Sequence, residues 1–206
     1  MAIAAKGKLF DSKFGERVEK KFELTVGSLP VAYSVLARKR VLSSDDKYNL
    51  TTIMTKPEHD EIRTLILEGL EEINVAQGLG ASSAALKKAL EQYLSESIQH
   101  PDRFRLTSSK RMTYRTKATG ELAVIDMKVY KDDLLEENLM PNGVYMEAGS
   151  MAKAIYTVGL YKDGSSVRMT IQPQIVVVTK LIEREKRPEH KPSFDGVEDS
   201  SNAYDF

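Results

Sequence analysis

Residues 151–183 read MAKAIYTVGLYKDGSSVRMTIQPQIVVVTKLIE, and the middle of this stretch decides the fold. MAKAIYTVGLY and SVRMTIQPQIVVVTKLIE are runs rich in β-branched and aromatic residues, and KDGS stands between them. An Asp-Gly flanked by two such runs is a strong hairpin signal, because glycine takes up the positive φ of a tight turn without steric cost. Pro173 interrupts the second run. It has no N–H for a ladder, so it predicts a bulge or an edge at that point.

Strand character continues upstream. RFRLTSSKRMTYR leads into GELAVIDMKVY, with Thr119-Gly120 as a turn, and DDLLEENLMPNG then forms a polar connection with one helical turn. RVEKKFELTV, VAYSVLARKRV and KYNLTTIM also read as strands, with SSDD (residues 43–46) as a loop between the last two.

Between these groups the period changes. Thr55 with Glu58 three residues on resembles a capping box, and Pro57 falls in the first turn, where a missing N–H is harmless. Ile62, Leu65, Ile66, Leu70 and Ile73 then recur at helical spacing until Gly78 and Gly80 end the helix. Ser82 or Ser83 caps a second helix, whose apolar face is Leu86, Leu90, Tyr93, Leu94 and Ile98, and His100-Pro101 stops it. The expected architecture is therefore mainly β. It is an OB-like five-stranded β-barrel with extra strands and a helical hairpin inserted at about residues 56–99. Residues 1–187 make one domain. From Glu183 onward order is expected to fail, and residues 188–206 form a flexible acidic tail.

Charge divides along the same line. The chain has 30 basic and 30 acidic residues, but residues 193–206 hold four of the acids and none of the bases, which leaves +4 on the rest. Within the body, residues 101–131 carry eight bases against three acids. A basic body with an acidic end points to an anionic partner.

The absence of cysteine excludes disulfides, thiol catalysis and thiolate metal sites, and it suits a reducing cytoplasm. No apolar run reaches the roughly 18 residues of a membrane span, and MAIAAKGKLF lacks the apolar core of a secretory signal. His59, His100 and His190 share no ligand spacing. Gly78-Leu79-Gly80 lacks the Lys-Ser/Thr of a phosphate loop and follows a helix. Asp132-Asp133 and Glu136-Glu137 read as a solvated surface. No nucleophile stands with a base, so neither catalysis nor a cofactor is expected.

Bases interleaved with aromatics remain. Single-stranded nucleic acid needs cations along its phosphates and flat rings against its bases. Arg103, Arg105, Lys110, Arg111, Arg115 and Lys117 are the phosphate candidates, with Lys39 and Arg40 as a further basic group. Tyr114 and Tyr161 are the stacking candidates, and Lys162 stands beside the hairpin turn. Phe104 and Tyr156 read as core. The acidic residues Asp195, Glu198, Asp199 and Asp205, with Phe206 at the tip, imitate a short phosphate backbone ending in an aromatic anchor. A tail from Pro188 spans roughly 20–25 Å as a coil, against a body radius of gyration of about 16 Å. It can fold back on a basic groove and compete with DNA.

KYNLTTIMTKPEHDEI, GSMAKAIYTVGLYKDGSSVRMTIQPQIVVVTKL with its Tyr161-Lys162 pair, and the end at Asp205-Phe206 together resemble the bacteriophage replication single-stranded DNA-binding proteins of the short-tailed coliphage type. The resemblance implies an OB-fold, coating of unwound DNA in replication and recombination, and Tyr161 and Lys162 at the DNA surface. It also implies tail contacts to a replicative polymerase and a helicase-primase, a homodimer, and action in the cytoplasm of an infected bacterium. A phage assembly protein and a strand-annealing recombination mediator are the alternatives, and an RNA role stays open.

Overall fold

In the structure, a computed structural model, the described residues are 5–14, 17–37, 43, 45–98, 100–116, 119–141, 143–164 and 166–182. β1 (Lys6–Phe14) and β2 (Arg17–Val35) form an antiparallel ribbon in which Lys6 pairs with Thr25 and Phe14 with Arg17. The second half of β2 pairs with β3 (Lys47–Met54), and β3 runs straight into α1 (Lys56–Ala76). After α2 (Ser83–Glu91) come β4 (Leu94–Glu96) and β5 (Phe104–Arg111), and β5 lies antiparallel to both β4 and β3. β6 (Thr113–Arg115) and β7 (Leu122–Val124) make a small separate hairpin. β8 (Lys128–Lys131) runs parallel to β10 (Ser166–Lys180), which is antiparallel to β9 (Met151–Asp163).

The strand order is β4-β5-β3-β2-β9-β10-β8, with β1 beside β2. β10 then comes against β5 and closes the barrel. The strands β2, β3, β5, β9 and β10 are thus the five of an OB-type barrel, as expected. No helix among the described residues is long and apolar enough to cross a membrane.

Local chemistry explains each element. Gly164 takes φ 62° at the β9–β10 turn, and Asp163 pairs with Ser166 across it. The register slips between Pro173 and Ile175, the bulge that Pro173 predicts. The Glu58 carboxylate accepts from the Thr55 N–H at 2.6 Å, and the Ser82 hydroxyl accepts from the Ala85 N–H at 3.2 Å, so both helices start where their caps place them. Ile62, Ile66, Leu70 and Ile73 of α1 are fully buried over the barrel, each burial contributing about 1.5–3 kcal/mol. Phe22 of β2 lies between Gly7 of β1 and Gly69 of α1, where a Cβ on either glycine would overlap its ring.

Three expectations are corrected, and β1 is a strand that the sequence pattern does not announce. Residues 17–26 and 31–35, expected in two separate strands, belong to one continuous strand, bent by register shifts at Val26/Leu29 and Val31/Tyr33. The second helix stops at Glu91 rather than near His100. Tyr93 O instead accepts from the Thr107 N–H at 2.8 Å, and Leu94 pairs with Leu106 as a strand. GELAVIDMKVY is divided between β7 and β8, because residues 122–124 pair with β6 and residues 128–131 with β10.

Candidate nucleic-acid interface

β5 alternates in burial. Leu106 and Ser108 point into the barrel, which places Arg105, Thr107, Ser109 and Arg111 on the outer face. Antiparallel pairing sets Ile53 opposite Arg105, Thr51 opposite Thr107 and Lys47 opposite Arg111. β2 adds Tyr33 opposite Thr51. The result is a face three strands wide with Arg105, Arg111 and Lys47 as cations and Tyr33 as a ring 55% exposed. A concavity of about 510 Å³ sits on it, lined among others by Tyr33, Thr51, Ile98 and Arg105. The Arg105 guanidinium is held there by donation from Nε to Ser95 Oγ at 2.8 Å. Ile98, 86% exposed, supplies an apolar rim.

The other candidates fall into three places. Tyr114, 53% exposed, and Arg115 stand on the β6–β7 hairpin that continues from β5, and Arg115 Nη1 donates to Gly120 O at 3.1 Å. Tyr161, 43% exposed, and Lys162 lie at the tip of the β9–β10 hairpin. Burial raises the pKa of the half-buried Tyr93 phenol, and the nearby Tyr161 adds to the rise. Arg103 is exposed at the β4–β5 turn, where its carbonyl accepts from the Ser97 N–H at 2.8 Å.

Lys110 is set apart. It points to the barrel seam and donates to Gln174 Oε1 at 2.9 Å and to Asp126 O at 3.4 Å. Burial lowers its pKa, and the Asp126 charge opposes this. Phe104 and Tyr156 are not platforms. Phe104 stacks on His59 at 4.2 Å beneath α1, and Tyr156 is wholly buried, which pushes its phenol up. Lys39, Arg40, Lys117 and the tail residues Asp195, Glu198, Asp199, Asp205 and Phe206 lie outside the described residues.

Sequence reasoning did not single out Tyr33 and Lys47, which share the outer sheet face, or Lys88 and Arg168 near the Tyr161 tip. Tyr33 carries a usable signal only once the Val31/Tyr33 bulge is known. Strict alternation would put it on the same side as the buried Val31.

A five-stranded barrel of this strand order, here with cations and rings on one sheet face and at one hairpin tip, is an OB-type fold. The solved structure of gp2.5, a single-stranded DNA-binding protein encoded by bacteriophage T7, matches this chain with a TM-score of 0.54. Sequence identity is 14%, and the match covers 79% of this chain and 93% of that one. The single-stranded DNA-binding protein from bacteriophage Enc34 aligns at TM-score 0.48 and 17% identity, over 96% of this chain and 99% of that one. Its complex with single-stranded DNA aligns at 0.48 and 14%, over 85% and 97%. The T7 comparison shows a shared fold. No protein-family model matches the chain, and no curated protein matches it in sequence.

Proposed function

We propose that this chain is a non-enzymatic protein that binds single-stranded DNA and coats it during phage replication. One observation carries the reading. On an OB-type barrel like that of the T7 protein, the outer face of β3 and β5 sets Arg105 and Arg111 beside Lys47 and the exposed Tyr33. OB-folds bind oligonucleotides on the face of their second and third barrel strands and on the loops at its ends. Here β3 and β5 are those strands. The β9–β10 tip with Tyr161 and Lys162 is one such loop.

Cations then supply affinity through phosphates, and rings supply preference for unpaired bases. Arg103, Arg115 and Lys117 extend the cationic track, with Tyr114 as a further ring. Lys110 is kept in the site as a supporting residue rather than a contact, because its ammonium is already engaged.

The finer assignments belong to the same proposal. Residues 1–187 form the binding domain and residues 188–206 a tail. Asp195, Glu198, Asp199, Asp205 and Phe206 recruit a replicative polymerase and a helicase-primase and compete with DNA. The protein forms a homodimer and works in the cytoplasm of the infected host.

Titrating a fluorescent single strand and the matching duplex at several salt concentrations tests the reading. Salt-steep binding that favours the single strand supports it. No binding at low salt overturns it and leaves the assembly role. Rapid pairing of complementary strands by the protein would point to annealing.

A further inference from the structure

The inserted helix α2 and the β9–β10 hairpin enclose a groove of about 880 Å³, onto which Lys88, Lys162 and Arg168 open. Its lining contains these three bases and no acidic residue, and Ser82, Gln92 and Ser166 supply the remaining polar side chains. Asp163 braces Arg168 from outside the lining, with Nε and Oδ2 2.9 Å apart. The walls are held at a set spacing. Tyr93, just past the end of α2, donates its hydroxyl to Met169 O on β10 at 2.8 Å.

Arg168 also pairs directly with Tyr161 across the hairpin. Cross-strand partners share a face, so Arg168, which lines the groove, stands on the same side of the hairpin as the exposed Tyr161 ring. An acidic peptide would use the cations but has no need of a ring. A nucleic acid strand uses both.

We propose that this groove holds the phosphodiester backbone of the bound single strand, with Lys88, Lys162 and Arg168 as phosphate contacts, so that the inserted helix forms one wall of the binding track. The inference rests on the single-strand binding proposed above and extends it beyond the sheet face.

The test uses the full chain, the Lys88→Gln variant, and Lys87→Gln as a control on the same exposed helix surface but off the groove lining. Single strands of ~4 to ~16 nucleotides, the range of one OB-fold's site size, are titrated against salt. Lys88→Gln is expected to weaken binding several-fold on the longer strands. The slope of log K against log salt becomes shallower by about 0.7, the release expected for one lost phosphate contact on a single strand. The shortest strands and Lys87→Gln show no change.

Equal effects of Lys87→Gln and Lys88→Gln would reduce the groove to general surface charge and overturn the proposal. An unchanged slope for Lys88→Gln, with the unmutated protein binding well, would remove the groove assignment alone. If Lys88→Gln keeps its DNA slope but loses binding of a synthetic peptide of residues 195–206, the groove belongs to the acidic segment and the proposal fails. If the unmutated protein binds no single strand, the parent reading falls with it.

Discussion

Lys110 on β5 donates to the side-chain oxygen of Gln174 on β10 at 2.9 Å, joining two barrel strands through side chains. Gln174 is available because the register steps from Pro173 to Ile175 and leaves it out of the ladder. The Pro173 bulge thus has a use, since it frees a side chain to latch the seam. The latch lies between the sheet face carrying Arg105 and Arg111 and the hairpin carrying Tyr161.

Breaking the latch should cost stability. Lys110→Met and Gln174→Leu are each expected to lose about 1 kcal/mol, the usual net value of such a bond. Their effects are coupled, so the double variant is little worse than either single one. Denaturant unfolding of the four proteins measures this, and simple additivity would dismiss the latch. The pH dependence has a definite sign. The folded Lys110 pKa lies below the usual lysine value of 10.5, mainly through burial. Just below that value the unfolded chain holds more protons at this site, so stability rises with pH there. Lys110→Met should flatten that rise.

Tyr33 should stack on a base. Its ring is 55% exposed, so Tyr33→Ala is expected to leave folding intact. The variant should lose about 1–3 kcal/mol of single-strand affinity without changing the salt slope, because stacking is not an ionic contact. Tyrosine fluorescence that does not respond to added single strand, together with unaltered affinity, would remove Tyr33 from the site.

Gly69 should not tolerate alanine. A Cβ there would come within 2.5 Å of the Phe22 ring, and Gly7 blocks the ring from the other side. Alanine in a helix interior gains roughly 0.5–1 kcal/mol over glycine, and overpacking a core costs about 1–3 kcal/mol. The second effect should win, so Gly69→Ala lowers the melting temperature. Phe22→Leu in the same chain should restore part of the loss, because a smaller side chain leaves the methyl room.

Deleting residues 195–206 should tighten single-strand binding, because it removes a tethered acidic competitor. The gain should be largest at low salt and fade as salt screens both partners. Equal affinity and salt slope before and after truncation would count against competition and leave only recruitment for the segment.

The parts of this protein that local chemistry governs are legible in its sequence. Asp163-Gly164 had to turn, because glycine accepts the positive φ that the hairpin demands. Thr55 with Glu58, and Ser82, had to start helices, because their side chains meet amides within a few residues. Pro173 had to disturb its strand, because it lacks the N–H. The exposure of Tyr161 and Lys162 is legible because they stand beside a turn, where exposure follows from position. Pairing with distant strands decided the rest. Leu94 is apolar at a helical spacing, yet it became a strand because β5 offered it a ladder partner in Leu106. Lys110 reads as a surface base, yet its ammonium is drawn to the barrel seam by Gln174, 64 residues away. Tyr33 faces outward only because the register shift between Val31 and Tyr33 reverses the alternation that the buried Val31 implies. Short-range hydrogen bonds and backbone sterics are written into neighbouring residues, whereas register and facing depend on partners far along the chain, and only the tertiary structure brings those together.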